Sequence, residues 1–306
     1  MPAHDEPAAI PEESPERRLL VFVIAVLCIV VSGLLHAIWN LFTKKSDNPA
    51  VFLWALQWVA IIFYLPWALF ALANHPVPFQ GWLFLMGGVA AHGGYVLLLS
   101  RIYVVGDLSQ VYPMMRGVSP LLVPLMGTLF LGERLPLIGW IGVIGIVSGI
   151  ILIGPLPFGQ GNYRRRRLAW QVAGPAFSVG LAITTYTLLD KITLHYVPPV
   201  TLNDASNAGN FLALSLVVMR SSGIKSEWHA HWKTIILGGI ISPGSYLLFL
   251  VALQMAPVAQ VAPMREIGTV FGTILGITVL KETQGTRRIV AAGLITGGMI
   301  LLGILG

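Results

Sequence analysis

Three ionisable side chains sit where the surrounding sequence is apolar. Arg116 lies between Pro113 and Pro120, and Arg265 and Glu266 follow Pro263 in a second apolar run. At the centre of a bilayer an ionised group costs at least roughly 2.5–3.5 kcal/mol, so three facing lipid would cost on the order of 8–10 kcal/mol. They are therefore expected to face a cavity or a partner. A guanidinium in such a place suits a carboxylate or phosphonate, which it can grip through two parallel N–H donors. Arg265 and Glu266 are adjacent, so on a helix they point about 100° apart and are poorly placed to pair with each other. Glu266 can instead pair with Arg116 and leave Arg265 to an anionic substrate group. A fixed internal salt-bridge cluster of all three is the competing arrangement, and the two are not exclusive.

A second set is polar and mostly neutral. His36 and Asn40 lie one helical turn apart, and His92 and Tyr95 share a face among Gly87, Gly88, Gly93 and Gly94. Asn203, Asn207 and Asn210 recur at i, i+4, i+7 beside Asp204, which places them on one helix face. Ser242, Ser245 and Tyr246 surround Pro243. Such a ring can hydrogen-bond a small polar solute. Each member can equally be interhelical glue, worth about 0.6 kcal/mol per bond on average. Asp107 opens its segment and reads as a helix cap. Glu133 and Glu282 close theirs beside Arg134 and Lys281 and read as interface residues.

The elements that must hold these residues are membrane spans. The chain has 306 residues, 56% hydrophobic and only 10% charged, with mean hydropathy +0.78. Soluble domains carry about 25% charged residues, so a soluble enzyme, a nucleic-acid-binding domain and a disordered chain are excluded. Ten apolar segments follow: 19–39, 51–73, 82–104, 108–131, 136–154, 168–189, 200–219, 233–253, 257–280 and 287–305, each near the roughly 20 residues that a spanning helix needs. Residues 1–18 form a polar, proline-rich tail, and the run from Leu19 to Trp39 reads as a retained span rather than a signal peptide. Residues 155–167, ending in Arg164 to Arg167, are the linker between residues 19–154 and 168–306.

These two halves resemble one another. Gln110-Val111-Tyr112-Pro113 parallels Gln260-Val261-Ala262-Pro263, Gly94-Tyr95 parallels Ser245-Tyr246, Gly33 and Lys44 parallel Gly180 and Lys191, and Glu133 parallels Glu282. Five spans per half is odd, so the second half enters the membrane from the opposite side. The fold class is thus an all-α integral membrane protein of ten transmembrane helices in two inverted five-helix repeats, an arrangement of alternating-access transporters. Pro113 and Pro120 in span four, and Pro263 in span nine, are expected to kink or break their helices. Thirteen Lys and Arg fall in loops after odd-numbered spans against four on the other side, which places the termini outside the cytoplasm.

The remaining signals are negative or peripheral. Walker-A, His-Glu-x-x-His and Gly-x-Ser-x-Gly motifs are absent, and no Cys/His cluster has metal-ligand spacing. Catalytic residues, metal ligands and cofactors are therefore all assigned as none, and nucleic acid is not an expected partner. Cys28 is the single cysteine, so no intrachain disulfide forms. Gly145/Gly149 and Gly293/Gly297 have small-xxx-small spacing for close packing, within the chain or in a homodimer.

His36-Ala37-Ile38-Trp39-Asn40, Gly106 to Pro113 with Arg116-Gly117, and Gln260 to Glu266 resemble the EamA family of the drug/metabolite transporter superfamily over about residues 19–305. The resemblance implies a ten-helix secondary transporter of the plasma (inner) membrane, many relatives exporting amino acids or other metabolites. It implies a cavity bounded by spans one to four and six to nine, with spans five and ten outside. It also implies cytoplasmic termini, against the charge count, and the orientation stays open. The expected function is export of a small anionic or zwitterionic metabolite, with a proton coupled through Glu266, His36 or His92. Its partners are a small-molecule substrate and the lipid bilayer. The alternatives are a membrane-embedded enzyme acting on a lipid-borne substrate and a channel or scaffold.

Overall fold

The first two helices begin where the chain supplies both a cap and a proline. Ser14 Oγ accepts from Arg17 N and Pro15 opens the first helix; Asn48 Oδ1 accepts from Val51 N and Pro49 opens the second. Side-chain acceptors of this kind satisfy amides that have no intrahelical partner. The computed structural model describes residues 14–105, 108–153, 163–219, 223–279 and 286–305. Within them the chain is all-helical: α1 (Pro15–Lys45), α2 (Pro49–Asn74), α3 (Phe79–Val105), α4 (Leu108–Phe130), α5 (Leu137–Ile153), α6 (Tyr163–Thr193), α7 (Pro199–Val218), α8 (Ile224–Met255), α9 (Val258–Met264), α10 (Ile267–Thr278) and α11 (Thr286–Leu305). Span nine is divided into α9 and α10.

Packing obeys the duplication. Helix α1 packs on α8 as α6 packs on α3, and α2 meets α8 as α7 meets α3. Equivalent helices also meet each other, α2 with α7 and α5 with α11. Both pairs run antiparallel. Trp54 donates to Ser215 while Thr201 donates to the Ala68 carbonyl. Gly142 lies against Gly298 while Gly149 lies against Ala291. Equivalent helices related by a two-fold can run antiparallel only if the axis crosses them, which is the inverted repeat. Helices α5 and α11 pack on each other and on α4, α9 and α10, to one side of the remaining bundle.

The α5–α11 seam corrects one expectation. Gly142, Gly145 and Gly149 do face α11, but the opposing residues are Ala291, Leu294, Ile295 and Gly298. Gly293 and Gly297 are exposed and have no atom within 4 Å of an added Cβ. At 3.6 residues per turn they lie on the opposite side of α11 from that contact row. A Cβ on Gly142 would come within 2.7 Å of the Gly298 carbonyl, so the helices touch through backbone.

Leu27, Ile62, Phe70, Met86, Leu129, Leu212 and Ile289 are among many large apolar side chains left exposed around the bundle. Contiguous exposed apolar surface on this scale marks a membrane-embedded face. Among the described residues four helical stretches, Leu19–Lys45, Pro49–Asn74, Phe79–Leu99 and Ile224–Met255, are long and apolar enough to cross a bilayer, with shorter apolar helices beside them. The chain is a multi-pass membrane protein.

Boundaries differ from the sequence reading in two informative places. Helix α6 begins at Tyr163, so Arg164 to Arg167 are helical rather than linker, and it continues through Asp190 to Thr193. Helix α8 begins at Ile224, nine residues before the expected span, and bends at His231. The tail up to residue 13, Asp107 and Glu282 lie outside the described residues.

Candidate functional site

The break in span nine is a local tightening of the helix. Arg265 N donates to Ala262 O, Glu266 N to Pro263 O, Gly268 N to Arg265 O and Thr269 N to Glu266 O, all i→i−3 bonds. Pro263 has no amide hydrogen for the ordinary ladder, and a mid-helix 3₁₀ stretch of this kind marks a hinge or a functional site. The partner span does not match it. Helix α4 runs unbroken from Leu108 to Phe130 through Pro113 and Pro120, so the expected pair of broken helices is a single broken helix. A proline can be carried inside a membrane helix when neighbours satisfy the freed carbonyl. The side chains of Pro113 and Arg116 lie outside the described residues, and so does the expected Arg116–Glu266 pair; Pro120 is buried.

Arg265 leaves the break towards α8. Its guanidinium carbon stands 4.9 Å from the Tyr246 ring centre and 4.4 Å from that of Phe249. Its Nε is buried with no hydrogen-bond partner among the described residues. Glu266 is buried beside it, and its Oε2 accepts from Thr269 Oγ1 at 3.1 Å. Arg265 is thus held by aromatic faces, a cation–π arrangement that leaves its planar donor fork usable by an anion.

Tyr246 connects this cation to a buried carboxylate. Its hydroxyl donates a short hydrogen bond to Asp190 Oδ2 on α6. His92 Nε2 on α3 reaches the same oxygen at 3.0 Å, and the His92 ring stacks on Tyr186 with centres 4.1 Å apart. Tyr95 meets Tyr186 edge-on at 5.5 Å. Asp190 is fully buried, and its Oδ1 has no hydrogen-bond partner among the described residues. Two donors converging on one carboxylate oxygen form a charge-assisted pair of bonds.

The other expected residues divide. Asn207 is buried on α7 with Nδ2 unpartnered among the described residues; so are Asn203 Oδ1, Asp204 Oδ1, Ser206 Oγ and Asn210 Oδ1. His36 meets Trp39 edge-on and Asn40 donates back to the His36 carbonyl, contacts local to α1. Around Pro243, three α8 carbonyls take donors from other helices: Ile240 from Tyr64, Pro243 from Asn203 and Ser245 from Ser32. Ser245 Oγ returns a bond to the Ser32 carbonyl at 2.8 Å. These bonds are structural glue.

Glu133 proves to be a helix cap as well as an interface residue. Gly132 adopts φ 66°, a left-handed conformation open to glycine at a helix end, and Glu133 N bonds back to Gly127 O across the stop. The turn sends both Glu133 carboxylate oxygens to the first amides of α9, Val258 and Ala259, each at 2.8 Å. Lys191 Nζ holds the last carbonyls of α8, Leu253 and Ala256. Both ends of the α8–α9 turn are therefore tied by charged side chains, Lys191 of α6 and Glu133 of the turn after α4.

Asp190 is the residue that the sequence reading missed. Its signal was present, an acid four residues after Tyr186 in an apolar run, but span six was closed at residue 189.

With this geometry in place, the comparisons with known proteins decide the family. The model of the EamA-like transporter family matches residues 23–154 and 174–304, one match to each repeat. The chain belongs to the EamA-like transporter family. That family is part of the drug/metabolite transporter superfamily. An uncharacterized transporter in the cobO 3′ region of Sinorhizobium sp. is 38% identical over 77 residues, a quarter of this chain. The chain spans about half the length of that relative, 54%. A solved crystal structure of a protein superposes with TM-score 0.72 at 16% identity, covering 92% of this chain and 97% of its own, which shows a common fold. The family model that matches both repeats is that of a transporter family.

Proposed function

We propose that the protein is a secondary transporter of the plasma (inner) membrane that exports a small anionic or zwitterionic metabolite, such as an amino acid, by alternating access. The observation that carries this reading is Arg265, held at a helix break on aromatic faces with an unpartnered Nε. A substrate carboxylate would take its donor fork. Helices interrupted within the membrane are where secondary transporters bind cargo. The α7 atoms without partners supply hydrogen bonds for the rest of a polar solute.

We assign proton coupling to Asp190 and His92, which meet Tyr246, rather than to Glu266 or His36. Tyr246 offers its face to Arg265 and its hydroxyl to Asp190. Drawing Arg265 towards a substrate would shift this ring and alter the donors on Asp190, so that substrate and proton compete through one side chain. In this reading the chain carries out no covalent chemistry.

Counterflow in proteoliposomes tests the proposal. Preloading with an unlabelled metabolite should accelerate entry of the labelled one, with a panel of amino acids and small carboxylates screened for the cargo. A carrier shows this trans-acceleration and a channel does not. Absence of counterflow for every compound that enters would overturn alternating access. Turnover of a labelled lipid precursor without a gradient would favour an enzyme instead.

A further inference from the structure

A second histidine–carboxylate cluster lies away from Arg265, where the α1–α2 turn meets the start of α8. Asp47 Oδ2 stands 3.2 Å from His231 Nε2, and Glu227 Oε1 stands 3.9 Å from the same nitrogen. One ligand-capable atom from each of the three residues lies within 4.8 Å of the others. Glu227 is 1% exposed, yet its Oε1 has no hydrogen-bond partner among the described residues. Its other oxygen accepts Asn48 N at 2.7 Å, which fixes the carboxylate plane and turns Oε1 towards His231. The backbone of α8 leaves helical geometry at His231 itself, with φ −126° and ψ 15°.

We propose that Asp47, Glu227 and His231 form a binding site for a divalent transition cation such as Zn²⁺ or Mn²⁺. Metal–ligand bonds of about 2.0–2.2 Å put tetrahedral ligand atoms about 3.3–3.6 Å apart, and the spacings of 3.2 and 3.9 Å bracket that range. One imidazole with two carboxylates is a mixed nitrogen–oxygen donor set that suits borderline Zn²⁺ and that the harder Mn²⁺ also accepts, whereas Mg²⁺ prefers oxygen ligands and retained water. A buried carboxylate oxygen without a donor is costly, and a cation removes that cost. Asp47 is exposed, so a fourth position can be filled by water. The cation would pin the α1–α2 turn to α8, two segments far apart in sequence.

The test uses the full chain, tag-free in detergent and stripped with chelator, then titrated with ZnCl₂, MnCl₂ or MgCl₂ while metal uptake and melting temperature are followed. Wild type should take up one Zn²⁺ per chain and melt at a higher temperature, since a ligand that binds only the folded state stabilises it. His231→Ala should lose that uptake. Asp47→Asn, an exposed change compatible with folding, should weaken it at least tenfold. His229→Ala, on the same helix but outside the cluster, should retain it. Equal Zn²⁺ stoichiometry and affinity in wild type, His231→Ala and Asp47→Asn would overturn the site, as would failure of wild type to take up Zn²⁺ or Mn²⁺.

Discussion

Two histidine–carboxylate groups sit in this bundle and are finished differently. Asp190 and His92 meet between α6 and α3 and are almost wholly enclosed, with Tyr246 adding a second donor to the same carboxylate oxygen. Around His231 one carboxylate is buried and the other is solvent-exposed, and the buried one keeps an oxygen without a donor. In the first group the spare carboxylate oxygen is enclosed within the bundle, near Gly88 of α3. In the second it is turned towards the open end of a loop. On the readings proposed above, the same pair of side-chain types serves proton exchange in one place and a cation in the other. What differs is the third neighbour, a tyrosine hydroxyl or an exposed aspartate.

The strongest way to break this contrast is at the cation beside the inner group. Arg265→Ala should reduce transport on the order of a hundredfold or more, because removing one partner of a buried charge contact costs several kcal/mol. Its insertion and melting should remain near wild type, and full transport by that variant would remove Arg265 from the site. Asp190→Asn should lower transport by about tenfold to a hundredfold, the worth of a charge-assisted hydrogen bond, and abolish stimulation by a proton gradient. If Asp190→Asn also abolished Zn²⁺ uptake, the two groups would be one coupled system. Tyr246→Phe keeps the ring under Arg265 and removes only the hydroxyl, so a decline of about threefold to tenfold is expected. A larger loss would give the hydroxyl a greater part in the coupling. Smallest of all, Glu133→Gln should cost about 1 kcal/mol, read as a lowered melting temperature, by weakening the cap on α9.

Much of the fold was legible because bilayer crossing imposes a length and a composition on every segment. The ten spans, the duplication and the inverted relation follow from that constraint and from parity. Arg265, Glu266 and the break after Pro263 were legible because charge and proline are costly in apolar runs. Span four shows the limit, since Pro113 and Pro120 promised a second break that an unbroken α4 does not contain. Asp190 and Glu227 were obscured by boundaries. Span six was closed one residue before Asp190, and Glu227 and His231 were assigned to the loop before span eight, whereas both helices extend through these positions.

By itself, then, the sequence determined a ten-span, two-repeat membrane protein and marked Arg116, Arg265 and Glu266 as its rare interior charges. Periodicity and hydropathy are properties of a single helix, readable without knowledge of its neighbours. The tertiary structure alone decided that Tyr246 joins Arg265 to Asp190, that Glu133 caps α9, that Gly293 and Gly297 turn away from the α5 seam, and that Asp47 meets His231. Each of these depends on how separate elements of the chain pack on one another. The rotation and register of packed helices are set by the interlocking of whole faces, which no local spacing records.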